Sequence, residues 1–187
     1  MARSSEPRER LLRTAQQLFY REGIHAVGVD RLVAEAGVTR ATFYRHFPSK
    51  EHLVEAYLEA EDAALKAAFA TAGESGVQGR DLVELVIQAI ADDVERNHTR
   101  GCPFINASAE YPDADSQVRR TVAAHRTWFR STLEHVIAGA ELDDPVEKAG
   151  ALVLLRDAAM VGGYLDGAEV IRPTFVRTAR LAAGLAA

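Results

Sequence analysis

The sequence predicts an all-α protein of about nine helices, arranged as a three-helix head followed by a larger C-terminal helical bundle. Most segments after Pro7 repeat apolar residues three or four positions apart, which is the spacing of one helix face. Alternating runs of β-branched residues are few, so no strand is expected. Capping residues, glycines and prolines recur where such helices would begin and end.

The composition limits the class of protein. The 187 residues suffice for one large or two small domains with a buried core. The single cysteine excludes an intramolecular disulfide, and the chain has neither a signal-peptide pattern nor an apolar stretch of about 18 residues. We therefore expect a soluble cytoplasmic protein that does not bind a membrane.

The net charge of −5 is distributed unevenly along the chain. Residues 1–50 carry nine Lys or Arg against five Asp or Glu, whereas residues 51–187 carry thirteen against twenty-two. A basic head thus precedes an acidic body, so the negative total does not exclude a nucleic-acid partner.

Three helices are expected in the head. The first covers about residues 7–21, and the second covers about residues 30–35 and ends at Gly37, which takes a left-handed turn at little cost. Thr39 is placed to cap the third helix, which Pro48 ends. Two short helices joined by a tight glycine turn predict a helix-turn-helix.

The third helix has one apolar side and one polar, basic side. Phe43 and Phe47 lie four positions apart and define the buried side. The helical step of about 100° then turns the following residues outward or to the flanks: Arg40, Ala41, Thr42, Tyr44, Arg45 and His46. Arginine can fork onto guanine in the major groove, and Thr, Tyr and His can contact phosphates. This side is therefore predicted to bind DNA.

Two further cations fit the same prediction. Lys50 lies in the first turn of the fourth helix, where the helix dipole disfavours a cation by about 0.3–1 kcal/mol. A phosphate bound at that helix start would offset this cost. Arg31 on the second helix is another candidate phosphate contact. The predicted DNA-binding residues are Arg31, Thr39, Arg40, Ala41, Thr42, Tyr44, Arg45, His46 and Lys50.

Six helices are expected in the body. The first covers about residues 50–72, is capped by Ser49 and is followed by a loop at 73–76. The other five cover about residues 80–97, a short stretch from Pro103, and residues 116–138, 145–166 and 173–185. Pro145 and Pro173 are each expected to open a helix. The last two helices carry stripes of small and apolar residues that favour close approach of a second copy, the alternative being that the stripes only face the core of their own chain: Ala149, Gly150, Val153, Met160, Gly163 and Tyr164, then Phe175, Val176, Ala179, Ala182 and Ala183.

A ligand site is expected where polar or aromatic groups interrupt apolar faces of the body. The candidates are Cys102, Phe104, Asn106, His125, Trp128 and Tyr164. The segment Gly101-Cys102-Pro103 places the thiol at the start of the sixth helix, near Arg100 in sequence, a setting that favours a reactive thiolate. The alternative for Cys102 is a small buried residue at a kink.

Residues 37–51, Gly-Val-Thr-Arg-Ala-Thr-Phe-Tyr-Arg-His-Phe-Pro-Ser-Lys-Glu, closely resemble the recognition-helix signature of TetR-type regulators, and the resemblance extends over about residues 11–57. It implies a DNA-binding head and a ligand-binding body that dimerises through its last two helices. The positions that match the family's DNA contacts are Arg40, Ala41, Thr42, Tyr44, His46 and Lys50. A Gly-Cys segment like that at 101–102 occurs in a subset of the family, some members of which sense oxidants or electrophiles.

The expected function is a ligand-responsive repressor without a cofactor or metal. Residues 1–50 would form the DNA-binding domain, and residues 51–187 would bind a small-molecule effector and join two copies on palindromic double-stranded operator DNA. The family's rarer activator role stays open. One alternative is an all-α enzyme, which the absence of a metal-binding HExxH motif, a nucleophile elbow or a phosphate loop disfavours. The other is a helical protein whose head binds another protein.

Overall fold

The computed structural model describes residues 6–185 and places nine α-helices and no strand within that range. The helices are α1 (Glu6–Glu22), α2 (Val29–Ala36), α3 (Arg40–His46), α4 (Lys50–Glu74), α5 (Gly79–Arg96), α6 (Pro103–Glu110), α7 (Gln117–Gly139), α8 (Pro145–Asp166) and α9 (Ala168–Ala183). The all-α prediction is confirmed. The chain divides into two compact units, whose described parts are residues 6–63 with 103–123 and residues 64–102 with 124–185.

The first unit is built on the apolar stripe of α1. Leu11, Ala15, Leu18 and Phe19 are buried, as the helical spacing predicts. The ring of Phe19 meets the ring of Tyr57 from α4 edge to face, with centroids 5.9 Å apart. The buried stripe thus provides the surface on which the short helices of this unit pack.

The second unit contains the long helices of the body. Helix α9 packs along both α8 and α5. The largest buried side chains here come from α5, α7 and α8, among them Ile87, Leu133, Leu152 and Met160. None of the helices in residues 6–185 is long and apolar enough to cross a membrane.

Two predicted helix boundaries are wrong. Helix α9 begins at Ala168, directly after Gly167 with a φ of +98°, so Pro173 lies inside the helix instead of opening it. Proline already has the helical φ angle, and the helix continues through it with the loss of one backbone hydrogen bond. Helix α4 continues through Gly73 to Glu74, because a glycine near a helix end costs only about 1 kcal/mol relative to alanine.

The predicted dimerisation stripes of α8 and α9 face largely inward. Ala149, Val153 and Met160 on α8 are buried within the chain itself, as are Phe175 and Ala179 on α9. Tyr164 of the predicted α8 stripe is exposed, and the other large apolar side chains left exposed on these helices lie outside the stripes: Val146, Leu154, Val161 and Leu165 on α8, and Val170 and Leu181 on α9. The small residues therefore pack α8 against α9 within one chain.

Candidate nucleic-acid interface and body cavity

The turn between α2 and α3 is fixed by backbone and side-chain hydrogen bonds. Gly37 has φ +62° and donates its N–H to the carbonyl of Ala34 at 3.2 Å, while Val38 donates to Val33 at 3.0 Å. A side chain at position 37 would be strained in this left-handed conformation. Thr39 Oγ1 accepts the N–H of Thr42 at 3.1 Å and caps α3. The predicted helix-turn-helix and its cap are confirmed.

Helix α3 turns its aromatic side inward and its polar side outward, as predicted. Phe43 and Phe47 are buried, with ring centroids 6.1 Å apart. Tyr44 has 49% of its surface exposed, and its ring meets that of Phe43 edge to face. Arg40, Ala41 and Arg45 are also exposed, and Thr42 and His46 are half-buried on the flanks. The predicted contact residues therefore form one outward surface.

Arg40 is joined to α2 by an ion pair that the sequence did not reveal. Its Nε donates to Asp30 Oδ1 at 2.6 Å, and this hydrogen bond holds the pKa of Asp30 below its ordinary value. Both Nη groups of Arg40 make no hydrogen bond to the residues that the structure describes. Asp30 thus orients the guanidinium and leaves its terminal donors available.

Arg31, another predicted phosphate contact, is also paired with acidic groups. Its Nε donates to Glu35 at 3.0 Å, and its Nη2 lies 3.7 Å from Glu22. A phosphate would have to compete with both carboxylates for this guanidinium. Arg31 therefore has two carboxylate partners within the head, whereas Arg40 has one.

Lys50 is the first residue of α4, where the sequence places it. Ser49 Oγ accepts the N–H of His52 at 3.3 Å and caps the helix. The Lys50 amine lies 5.9 Å from the ring centroid of Phe19, and the side chain is half-buried. Burial lowers the pKa of Lys50, although the negative charge of Glu110 acts in the opposite direction.

Glu110, at the end of α6, is a residue of this unit that sequence reasoning missed. Its Oε1 accepts the backbone N–H of Ile24 at 2.8 Å, and its Oε2 accepts that of His25 at 2.5 Å. The ring of His25 stacks on Tyr111 with centroids 5.1 Å apart. Glu110 therefore holds the loop that joins α1 to α2.

A cavity of about 280 Å³ lies in the second unit between α4, α5, α7 and α8. Most of its wall is apolar and includes Leu65, Phe69, Leu85, Ile90 and Phe129. Its polar part consists of Asp92, Asp93, Arg96, Asn97 and Arg156. An apolar wall with a few polar groups is the usual make-up of a small-molecule site, and this volume lies near the lower end of the range for such sites.

The two carboxylates of this wall have partners. Asp92 lies 2.6 Å from Arg172 and 3.6 Å from Arg96. Asp93 accepts hydrogen bonds from His98 and from Asn97, each at 3.0 Å.

Burial alone raises the pKa of Asp93. The hydrogen bonds from His98 and Asn97, together with the charge of Arg156, outweigh that effect and hold the pKa below its ordinary value. Asp93 is therefore a carboxylate anion at neutral pH.

None of the six predicted ligand contacts lines this cavity, although three adjoin residues that do. His125 is buried with its ring parallel to that of Phe129, and Trp128 meets Phe69 edge to face at 5.7 Å. Tyr164 is 51% exposed on α8. Cys102 contacts the lining residue Arg156. Phe104 and Asn106 lie on α6 in the first unit, where Phe104 is buried and Asn106 is half-buried.

Cys102 is buried directly before α6, and its Sγ accepts a hydrogen bond from Arg156 Nη1 at 3.1 Å. The cation beside the thiol therefore comes from α8. Arg156 is itself almost completely buried, and the sequence did offer a signal for it, because it directly follows an apolar run from Ala151 to Leu155.

Two family models match the chain. The model for bacterial regulatory proteins of the tetR family matches residues 11–57, and the tetracyclin repressor-like C-terminal domain matches residues 79–149. Among curated relatives, the activator FasR of Mycolicibacterium smegmatis is 30% identical over 92 residues, and the nucleoid occlusion factor SlmA of Vibrio atlanticus is 33% identical over 96 residues. These matches cover 49% and 51% of the chain but only 42% of FasR and 49% of SlmA.

Solved structures match over nearly the full length. A TetR-family transcriptional regulator from Streptomyces coelicolor is 43% identical with a TM-score of 0.91, and the match covers 96% of this chain and 95% of that one. The reduced form of E. coli NemR shares the fold with a TM-score of 0.81 at 22% identity, over 94% of this chain and 96% of NemR. By its fold, its helix-turn-helix and these matches, the chain belongs to the TetR family, whose members are transcriptional regulators and not enzymes.

Proposed function

We propose that this protein is a ligand-responsive transcriptional repressor that binds a palindromic operator as a homodimer and leaves it when a small effector binds. The observation that carries the proposal is the outward surface of α3, where Arg40, Tyr44 and Arg45 are exposed on a helix whose start is capped by Thr39. A basic, hydrogen-bonding face on a rigidly held short helix suits the major groove.

The contacts divide by chemistry into base readout and phosphate binding. Arg40 is the candidate for reading a guanine, because Asp30 holds Nε and leaves both Nη donors. Small Ala41 permits close approach to the groove. The residues assigned to phosphates and the groove wall are Arg31, Thr39, Thr42, Tyr44, Arg45, His46 and Lys50. Phosphate contacts set the orientation of the head, and base contacts supply specificity.

A second copy of the chain is the proposed occupant of the exposed apolar surface on α8 and α9. Leu154, Val161 and Leu165 repeat at helical spacing along α8 and are 70%, 44% and 69% exposed, and Val170 and Leu181 are exposed on α9. Burying each such leucine is worth about 1.5–3 kcal/mol. Dimerisation would give two heads, which a palindromic site with half-sites about 34–36 Å apart requires.

The effector is proposed to bind in the cavity of the second unit. We assign residues 1–50 to DNA binding and residues 51–187 to effector binding and dimerisation. Release follows if the effector binds more tightly to a dimer whose head separation no longer spans two major grooves. A protein with this role acts in the cytoplasm, where bacterial DNA lies.

Fluorescence anisotropy with duplex DNA tests the proposal. We expect nanomolar binding to an operator selected from genomic fragments and binding to random DNA that is weaker by at least about 10³-fold at physiological salt. Equal affinity for both DNAs, or no binding, would contradict it. A reporter driven by the selected promoter then separates the two roles: expression rises in a strain without the protein if it represses, and falls if it activates, as the relative FasR is named to do.

A further inference from the structure

Arg156 is a buried cation of the cavity wall with donors left over, whereas Arg96, the other cation of the wall, is 73% exposed. It is 5% exposed, and its Nη1 donates to Cys102 Sγ at 3.1 Å and to Asp157 Oδ1 at 3.3 Å. Its Nε and Nη2 donate to none of the residues that the structure describes. Both nitrogens belong to a side chain that lines the cavity.

The position of this guanidinium is fixed by its surroundings. Its carbon lies 5.5 Å from the ring centroid of Phe129, which also lines the cavity. Asp157 binds Nη1 from the same helix, and Cys102 binds it from the start of α6. With Nη1 held, the remaining Nε and Nη2 form the side-on edge of the guanidinium, which matches a carboxylate with two parallel hydrogen bonds.

The charge around Arg156 also favours an anion over a cation. Asp157 is shared between Arg156 and Arg126, whose Nη2 lies 2.8 Å from Asp157 Oδ2, so one carboxylate serves two guanidiniums. The acidic groups of the cavity wall, Asp92 and Asp93, already have their own cationic and hydrogen-bonding partners. A ligand cation would therefore find no unused acceptor there comparable to the unused donors of Arg156.

We propose that Arg156 is the effector-recognition residue of this cavity and that the effector is a small apolar monocarboxylate, bound side-on by Nε and Nη2. The apolar part of the molecule lies against Phe69, Ile90 and Phe129. This inference rests on the proposed ligand response. It adds the chemical class of the ligand and the residue that selects it.

Binding measured without DNA tests the inference directly. The probes are 4-phenylbutyrate and octanoate, each compared with its primary amide and its primary amine by titration calorimetry. We expect at least one carboxylate to bind with Kd below about 1 mM, and its amide to bind at least about tenfold more weakly. Trp128 is the single tryptophan and contacts the cavity residue Phe69, so its fluorescence provides a second readout.

Two substitutions distinguish the contribution of Arg156 to ligand preference from that of a nearby arginine. Arg156→Gln should reduce the preference for carboxylate over amide to less than about threefold. Arg126→Gln removes the other guanidinium that shares Asp157 but leaves the cavity wall intact, and it should retain the full preference. The comparison among carboxylate, amide and amine in the unsubstituted protein stands even if Arg156→Gln fails to fold.

The inference is overturned if no carboxylate binds, if the amide or amine binds as tightly as the carboxylate, or if Arg156→Gln keeps the preference. Adding the bound carboxylate to the protein–operator complex then tests the proposed function separately. Carboxylate binding without DNA release would refute the ligand response and leave the Arg156 site supported. Release by an effector that binds equally well to Arg156→Gln would support the ligand response and refute the Arg156 site.

Discussion

The carboxylate of Glu110 lies 2.8 Å from the backbone nitrogen of Ile24, although 86 positions separate the two residues in sequence. The same side chain accepts the N–H of His25 and so satisfies two backbone donors of the loop between α1 and α2. This contact therefore ties α6 to the loop that sets the position of α2.

Replacing Glu110 with Gln should lower the free energy of unfolding by about 1–3 kcal/mol, because two charge-assisted hydrogen bonds are weakened and the amide turns a donor toward a donor. Urea denaturation followed by circular dichroism measures the change. Glu59→Gln is the matched control, since it removes the same charge from an exposed position on α4. Equal stability of the two variants would show that Glu110 does not hold the loop.

Arg40→Ala should relax the preference at one base position in each half-site by about 1–3 kcal/mol, because a bidentate contact to guanine is lost. Competition binding with operators mutated one position at a time measures this. Asp30→Asn keeps the guanidinium and should keep the base preference, although its ion pair is weakened. If Arg40→Ala left every base preference intact, the readout role of Arg40 would be wrong.

Tyr44→Phe and Lys50→Met should each weaken binding to operator DNA and to random DNA by the same factor. The two variants should differ in the salt dependence of that binding. Loss of the Tyr44 hydroxyl costs about 0.5–1.5 kcal/mol and leaves the slope of log K against log salt unchanged. Loss of the Lys50 charge should reduce the steepness of that slope by about 0.9, which corresponds to the loss of one phosphate contact. Titrations at several salt concentrations measure both, and an unchanged slope for Lys50→Met would exclude its phosphate contact.

Leu154→Glu should convert the protein from dimer to monomer. Two exposed leucines are lost per dimer, which removes about 3–6 kcal/mol and raises the dimer dissociation constant by roughly 10²–10⁴-fold. Size-exclusion chromatography with light scattering reports the mass. Ala138→Glu adds the same charge at an exposed position of α7 and should stay dimeric. A dimeric Leu154→Glu variant would place the interface elsewhere.

The head was predictable from sequence because its determinants are local. Gly37, Thr39, Phe43 and Phe47 act within one or two helical turns, and each has the conformation or burial that its spacing predicts. The start of α9 was missed because proline is a stronger sequence signal for a helix start than glycine. In the structure, however, Gly167 separates α8 from α9, and Pro173 lies inside α9.

The body site was not predictable in the same way. The contact between Arg156 and Cys102 joins residues 54 positions apart, and local periodicity carries no information about such a pair. His125 and Phe129 are both buried on α7 at helical spacing, yet such spacing does not determine which residue borders a cavity. That depends on how α4, α5, α7 and α8 pack together.

The central claim is that two copies of this chain read a two-fold symmetric DNA site. Selection of genomic fragments by the purified protein, followed by sequencing and by measurement of the stoichiometry on the enriched site, tests it most directly. We predict a palindrome whose half-site centres lie about 10 base pairs or a multiple of that apart, bound by an even number of chains. Enrichment of no sequence, or of an asymmetric site occupied by a single chain, would contradict the claim.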